Sequence, residues 1–160
     1  LVRDGLARIA GAKPIEVVAM NSLSVNLHLL MVSFYQPTAE RPAILIEKSA
    51  FPSDRYAVEA QVRFHGYDPA DALIELEPDQ ADGTLSDNAI LAALERHGPR
   101  VALVLLPGVQ YLTGQALDLP AITRAAHGKG CMVGFDLAHA VGNIDLFPRP
   151  RCHQIRFALP

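Results

Sequence analysis

No apolar run in this 160-residue sequence approaches the roughly 20 residues that a membrane-spanning helix needs, so no span is predicted. The opening stretch Leu1-Val2-Arg3-Asp4-Gly5 lacks the long apolar segment of a secretory signal, which makes the cytoplasm the expected location. Two cysteines, Cys131 and Cys152, are too few for a disulfide framework and too far apart for a Cys-x-x-Cys metal pair, and a reducing compartment suits them. With 14 basic against 17 acidic residues the formal net charge is -3, which leaves no electrostatic footprint for nucleic acid. Neither Gly-x-Gly-x-x-Gly nor Gly-x-Ser-x-Gly occurs, and Gly128-Lys129 has no glycine five residues earlier. Dinucleotide-binding, P-loop and nucleophile-elbow chemistry therefore lose their signatures. Internal repeats, coiled-coil heptads and low-complexity tracts are missing too.

What the sequence does have is apolar substance in short alternating units. Half of its residues are hydrophobic, at the upper end for a soluble protein, as fits a piece of a larger, well-buried core. Apolar runs predict strands at 15–20, 43–47, 73–76, 101–106 and 131–135. Helical spacing predicts helices between them, the first capped by Ser24 and continuing through Leu27, Leu30, Met31 and Phe34. The second runs from Ser53 to about Phe64 and stops at Gly66, a third spans 87–97 behind Ser86, and a fourth spans 120–127. Strands alternating with helices imply an α/β fold with a mainly parallel, doubly wound sheet. The strand at 101–106 is apolar on both faces, as in a sheet covered on each side.

Ligands of such sheets bind beyond the carboxyl ends of the strands, and four polar or aromatic strings fall there. Met20-Asn21-Ser22-Leu23-Ser24-Val25-Asn26 joins the first strand to its helix, where free backbone N–H groups and the helix dipole hold anions. Leu23 and Ser24 are thus either a phosphate cradle or a simple helix start. Phe51-Pro52-Ser53-Asp54 offers an aromatic face and an acid; Phe51 is open to a stacking or a core role, and Asp54 to a first-turn dipole role. Leu106 to Gly114 forms a turning loop in which Pro107 has no donor to offer, while Tyr111 and Thr113 stand near enough to line a site. In the string that runs from Phe135 to Asn143, Asp136 follows an apolar strand and His139 comes one helical turn later, a spacing shared by catalytic pairs and by ordinary caps.

In that order and register, across about residues 18–146, the four strings resemble kynureninase, within the fold-type-I aminotransferase superfamily. The resemblance implies a pyridoxal 5'-phosphate cofactor. By it, Leu23 and Ser24 hold the phosphate, Phe51 stacks on the pyridine ring, and Pro52, Ser53 and Asp54 complete that wall. Asp136 pairs with the ring nitrogen and His139 contacts the phenolic oxygen. Ser24 stands where a threonine is commoner in the family. The implied activity is hydrolysis of L-kynurenine or 3-hydroxykynurenine to anthranilate or 3-hydroxyanthranilate and L-alanine, by a cytoplasmic homodimer with a small-molecule substrate and no metal, nucleic-acid or membrane partner.

The same resemblance implies a lysine bonded to the cofactor, on a strand later than Asp136. The three lysines, Lys13, Lys48 and Lys129, all precede that point, and Ile155-Arg156-Phe157-Ala158-Leu159 resembles the run that leads up to it. The expected organisation is a partial cofactor-binding large domain over 1–146, a divergent basic, proline-bearing tail over 147–160, and no C-terminal small domain, so that the chain alone would be inactive. Two alternatives stand beside this reading. One is another fold-type-I enzyme, a cysteine desulfurase or an aminotransferase, although those often stack a histidine where Phe51 stands. The other is a non-catalytic remnant that serves as a binding module.

Overall fold

The computed structural model describes residues 2–145 and 157–159. Its helices are α1 (Val2–Ile9), α2 (Leu23–Phe34), α3 (Pro52–Phe64), the short α4 (Pro69–Ala72), α5 (Asp87–His97) and α6 (Leu119–Gly128). The strands are β1 (Ala43–Glu47), β2 (Leu73–Leu76), β3 (Val101–Pro107), β4 (Met132–Asp136) and β5 (Phe157–Leu159). They form one sheet in the order β2-β1-β3-β4-β5, and every pairing is parallel. No described helix is long and apolar enough to cross a membrane.

The strands are apolar on both faces because both faces are covered. Ala43 and Leu45 of β1, with Val104 and Leu106 of β3, join Ile90 of α5 and Ile122 of α6 in one core. The alternate residues Ile44, Ile46, Leu103 and Leu105 join Leu27 of α2 and Val58 of α3 in the other. The period of two along each strand thus separates two helical layers, and a doubly wound sheet results. Leu45 is fully buried, and Leu45→Ala is expected to cost about 2–5 kcal/mol, read as a lower urea midpoint.

Helix boundaries follow local chemistry. Ser86 accepts from the N–H of Ala89 and Asp118 from that of Ala121, so α5 and α6 begin at side-chain caps. Gly66 ends the turn after α3 at φ +83, a conformation that glycine reaches without strain. At the amino ends of the strands Arg41 acts as a staple. One guanidinium nitrogen donates to the carbonyls of Gly98 (3.0 Å), Val101 (2.7 Å) and Lys129 (2.9 Å).

Two expectations are corrected. Residues 15–20 are not a strand: Pro14–Glu16 is a 3-10 turn, and Ile15 and Val18 stand 83% and 66% exposed. An apolar run becomes a strand only where a neighbour supplies hydrogen bonds, and no described edge of the sheet pairs with this one. Ser24 does not cap α2; Ser22 occupies the cap position, without a side-chain bond. The turn is closed instead by Asn26, whose side chain exchanges two 3.0 Å bonds with the backbone of Asn21. The remaining predicted strands and helices agree with the structure to within a residue or so at each end. Helices α1 and α4 had no counterpart among the expectations. Most of the basic tail lies outside the described residues, but Phe157–Leu159 pairs with β4 as a further parallel strand.

The chain leaves β1 towards β2 on one side and returns to place β3 on the other. The strand order therefore reverses between β1 and β3, which is where open α/β sheets bind ligands, at the carboxyl edge.

Candidate functional site

A cleft opens at that reversal, and its walls come from the ends of three strands and the start of one helix. Ile46 and Glu47 enter from β1, Leu105 to Pro107 from β3, Asp136 from β4, and Phe51 and Asp54 from the entry to α3. Val109, Tyr111 and His139 complete its rim from the loops after β3 and β4.

Phe51 is brought to the rim by the start of α3. Pro52 supplies a helix-ready φ at the first position, and the N–H groups of Asp54 and Arg55 both return to the Phe51 carbonyl, at 2.9 and 3.1 Å. The ring stays 40% exposed, a large apolar face turned to an opening rather than to the core. Tyr111 meets it edge-on at 5.0 Å, and His139 lies 6.4 Å from both rings, nearly parallel to that of Tyr111. The rim is thus a set of aromatic surfaces on which a flat ligand can stack.

Beneath the rim lie acids. Asp136 ends β4, is 8% exposed, and accepts the N–H of Ala138 on Oδ1 at 2.8 Å, so its turn is self-capped. Asp54, 6% exposed, accepts from the Ser53 hydroxyl at 3.3 Å and shares a side-chain hydrogen bond with Asp136. Two carboxyl groups can share such a bond only if one holds a proton. A first-turn position would favour the anion through the helix dipole, by up to about 1 kcal/mol at exposed sites. Burial outweighs it, and with Asp136 alongside it pushes Asp54 up to about 7. Glu47, at the end of β1, is likewise pushed up by burial, against a bond from Gln110 that favours the anion.

The loop after β3 approaches the turn after β4 closely. Gly108 donates to the Asp136 carbonyl at 2.7 Å, and a Cβ on Gly108 would fall 2.6 Å from Leu137 Cδ2 and 2.8 Å from Ala140 Cβ. Only glycine allows the approach. Gly108→Ala is expected to push apart the two loops that carry Tyr111 and His139, seen as backbone shifts at 137–140 in NMR spectra.

Of the residues singled out in the sequence, Phe51, Asp54, Asp136 and His139 come together at the cleft. Pro52 and Ser53 do not line it; Pro52 starts α3 and Ser53 holds Asp54. Leu23 and Ser24 are not among the lining residues; they stand in the first turn of α2, where Leu23 packs against the core. Thr113 lines an adjoining cavity instead. Glu47 and Gln110 escaped notice, although Glu47, an acid ending an apolar strand, carries the same signal as Asp136. No lysine lines the cleft: Lys13 pairs with Glu16, Lys48 with Glu77 and Lys129 with Glu95. No cluster of metal-ligating side chains occurs among the described residues.

No protein-family model matches the sequence. It is 67% identical over 155 residues to the kynureninase of Stenotrophomonas maltophilia (strain K279a), covering 97% of this chain and 36% of that protein. It is 69% identical to the kynureninase of Xanthomonas campestris pv. campestris (strain B100), covering 91% and 34%. The kynureninase of Myxococcus xanthus is 63% identical over 146 residues. The chain therefore spans about a third of the length of the curated relatives it matches. Among solved structures, an apo cysteine desulfurase from Thermococcus onnurineus NA1 superposes with a TM-score of 0.70 at 20% identity, over 90% of this chain and 34% of the other. An aminotransferase, TlmJ, from Streptoalloteichus hindustanus does so with 0.66, also at 20% identity, over 88% and 34%. At that identity the structural likeness speaks for the fold alone.

Proposed function

We propose that this chain, which is homologous to the kynureninases and matches about a third of their length, forms the ring-binding half of a pyridoxal 5'-phosphate site in a protein that hydrolyses kynurenine to anthranilate and L-alanine. The observation that carries this reading is Asp136, a buried acid at the carboxyl end of β4 that lines the cleft at the switch point of a parallel sheet, with no cation paired to it among the described residues. An acid so placed suits a cationic ring nitrogen, because the low dielectric strengthens the attraction and the Ala138 N–H fixes the carboxylate's direction.

When bound, the cofactor would serve as an electron sink for the substrate's carbon skeleton. The residues of this chain do the rest. Phe51 would cover one face of the ring and keep water from it. Asp54 would donate a hydrogen bond to Asp136 and so orient the carboxylate, and His139 would offer a ring nitrogen to the phenolic oxygen. The N–H groups of Leu23 and Ser24, at the amino end of α2, would hold the cofactor's phosphate. Kynurenine or its 3-hydroxy analogue would be the substrate of the whole protein, acting as a cytoplasmic homodimer.

Kinship at 63–69% identity favours this activity over that of a desulfurase or an aminotransferase, whose likeness is confined to the fold. The test is anthranilate fluorescence on adding kynurenine to the whole protein with pyridoxal phosphate. Anthranilate release supports the reading; alanine or sulfide chemistry without anthranilate sinks it. The 160 residues alone are expected to release none, since no lysine amine reaches the cleft.

A further inference from the structure

The aromatic rim is assembled from two separate segments. Phe51 comes from the entry to α3 and Tyr111 from the loop after β3, and their rings stand 5.0 Å apart. One buried side chain joins the two. Gln110, 5% exposed, precedes Tyr111, and its Nε2 donates to the Ser49 carbonyl at 3.0 Å, two residues before Phe51, and to Glu47 Oε1 at a longer 3.4 Å. Its Oε1 accepts from the N–H groups of Leu112 (2.6 Å) and Thr113 (2.9 Å), so its bonds straddle Tyr111. Among the described residues no other hydrogen bond joins the loop 108–116 to the segment 47–51.

Only one orientation of this amide is satisfied. A carboxamide has two N–H donors and an oxygen with two lone pairs, and here each end meets partners of the opposite kind. Turned over, it would set its NH2 against two N–H groups and its oxygen against a carbonyl, a mismatch that burial makes costly. The loop itself is closed by its own backbone. Gln110 donates to the Gln115 carbonyl and Gly114 to the Gln110 carbonyl, both at 2.8 Å, and Val109 bridges to Ala116. A second amide, Gln115, ties that closed unit to Leu85, accepting at 3.0 Å and donating at 2.6 Å. Gln115 and Leu85 line the adjoining cavity rather than the cleft, so this tether bypasses the rim.

We propose that Gln110 is a positioning residue of this site: its carboxamide bridges the loop after β3 to the segment that leads into α3, and so fixes how far apart the Phe51 and Tyr111 rings stand. Stacking and edge contacts depend on ring separation, so the bridge sets the grip of the rim on a flat ligand. The identity of that ligand rests on the function proposed above; the bridge does not.

The test is the Phe51–Tyr111 ring separation in crystals of the unliganded whole protein, with the affinity for pyridoxal 5'-phosphate as a second readout. Gln110→Met keeps the length of the side chain and removes its bonds. It should lengthen the separation by about 1 Å or more and weaken binding by about 10-fold, since a misplacement of about 1 Å in an oriented site can cost as much as roughly 100-fold. Gln115→Met, which cuts the tether to Leu85, should leave both readouts in place. Gln110→Glu supplies a rescue. Near about pH 5 the substituted acid, buried beside Glu47, holds its proton and can again donate to Ser49; near about pH 8 it is an anion facing a carbonyl. Glu47 is the one other ionisable side chain lining that cavity among the described residues, and the wild type should keep its ring separation at both pH values. In Gln110→Glu that separation should return at the lower pH and be lost at the higher. Rings unmoved in Gln110→Met, or in Gln110→Glu near about pH 8, overturn the proposal. So does an equal displacement by Gln115→Met, which would make the stiffness of the loop responsible rather than the bridge. A wild type that takes up no pyridoxal 5'-phosphate would count against the cofactor reading alone, and the ring separations would still decide the role of Gln110.

Discussion

Asp136→Asn in the whole protein is expected to lower kcat/KM for kynurenine by between about 10-fold and 10³-fold. An opposite charge in contact shifts a titrating neighbour by roughly 1–3 pH units, and each unit is about a factor of ten in the stability of the charged form. The amide keeps the shape of the carboxylate and an oxygen for the Ala138 N–H, so the turn after β4 should survive. What it loses is the negative charge that the proposed function sets against a ring nitrogen. A second readout separates this effect from misfolding. With Asp136 neutral, Asp54 loses its charged partner, and its own midpoint should fall in the unliganded protein. Unchanged kcat/KM beside a lowered Asp54 midpoint would remove Asp136 from the chemistry while leaving it in the acid pair.

Much of this site was legible in the sequence, for reasons that can be named. Phe51, Asp54, Asp136 and His139 each stand within a few residues of a strand end or a helix start, and the β/α alternation brings those ends to one edge of the sheet. Strand and helix boundaries were equally open to reading wherever a cap or a stop was written locally, as at Ser86 and Gly66. The exceptions all depended on distant partners. Residues 15–20 have a strand's composition, yet pairing belongs to two segments rather than one. Ser24 looked like a cap until Asn26 bonded back to Asn21, a contact that preference for serine at caps does not forecast. Glu47 passed unnoticed because an acid at a strand end is commonplace. Its burial against Gln110 depends on a loop more than sixty residues away. The cost of Gly108 substitution was hidden as well, since the side chains it would strike belong to a loop some thirty residues away.

The stability of the unliganded chain should fall as pH rises from about 4 to about 7, and Asp54→Asn should abolish most of that fall. In the unfolded chain Asp54 ionises near its ordinary 3.8, whereas in the folded chain burial, the bond to Asp136 and the charges around it push it up to about 7. Between those values the folded state holds a proton that the unfolded state has released, so each rise in pH favours unfolding. The stabilising contribution is fully present below the unfolded value and is lost as pH rises through the folded one. At about 1.4 kcal/mol per pH unit, the interval corresponds to as much as roughly 4 kcal/mol. Asp54→Asn keeps a donor for Asp136 at every pH and carries no charge to repel it. The variant should therefore resemble the wild type near pH 4 and exceed it near pH 8. Urea midpoints at those two values check this directly. Equal midpoints for wild type and variant at pH 8 would mean that Asp54 is ionised without penalty, and that its buried contact with Asp136 is not the proton-sharing pair derived from the cleft.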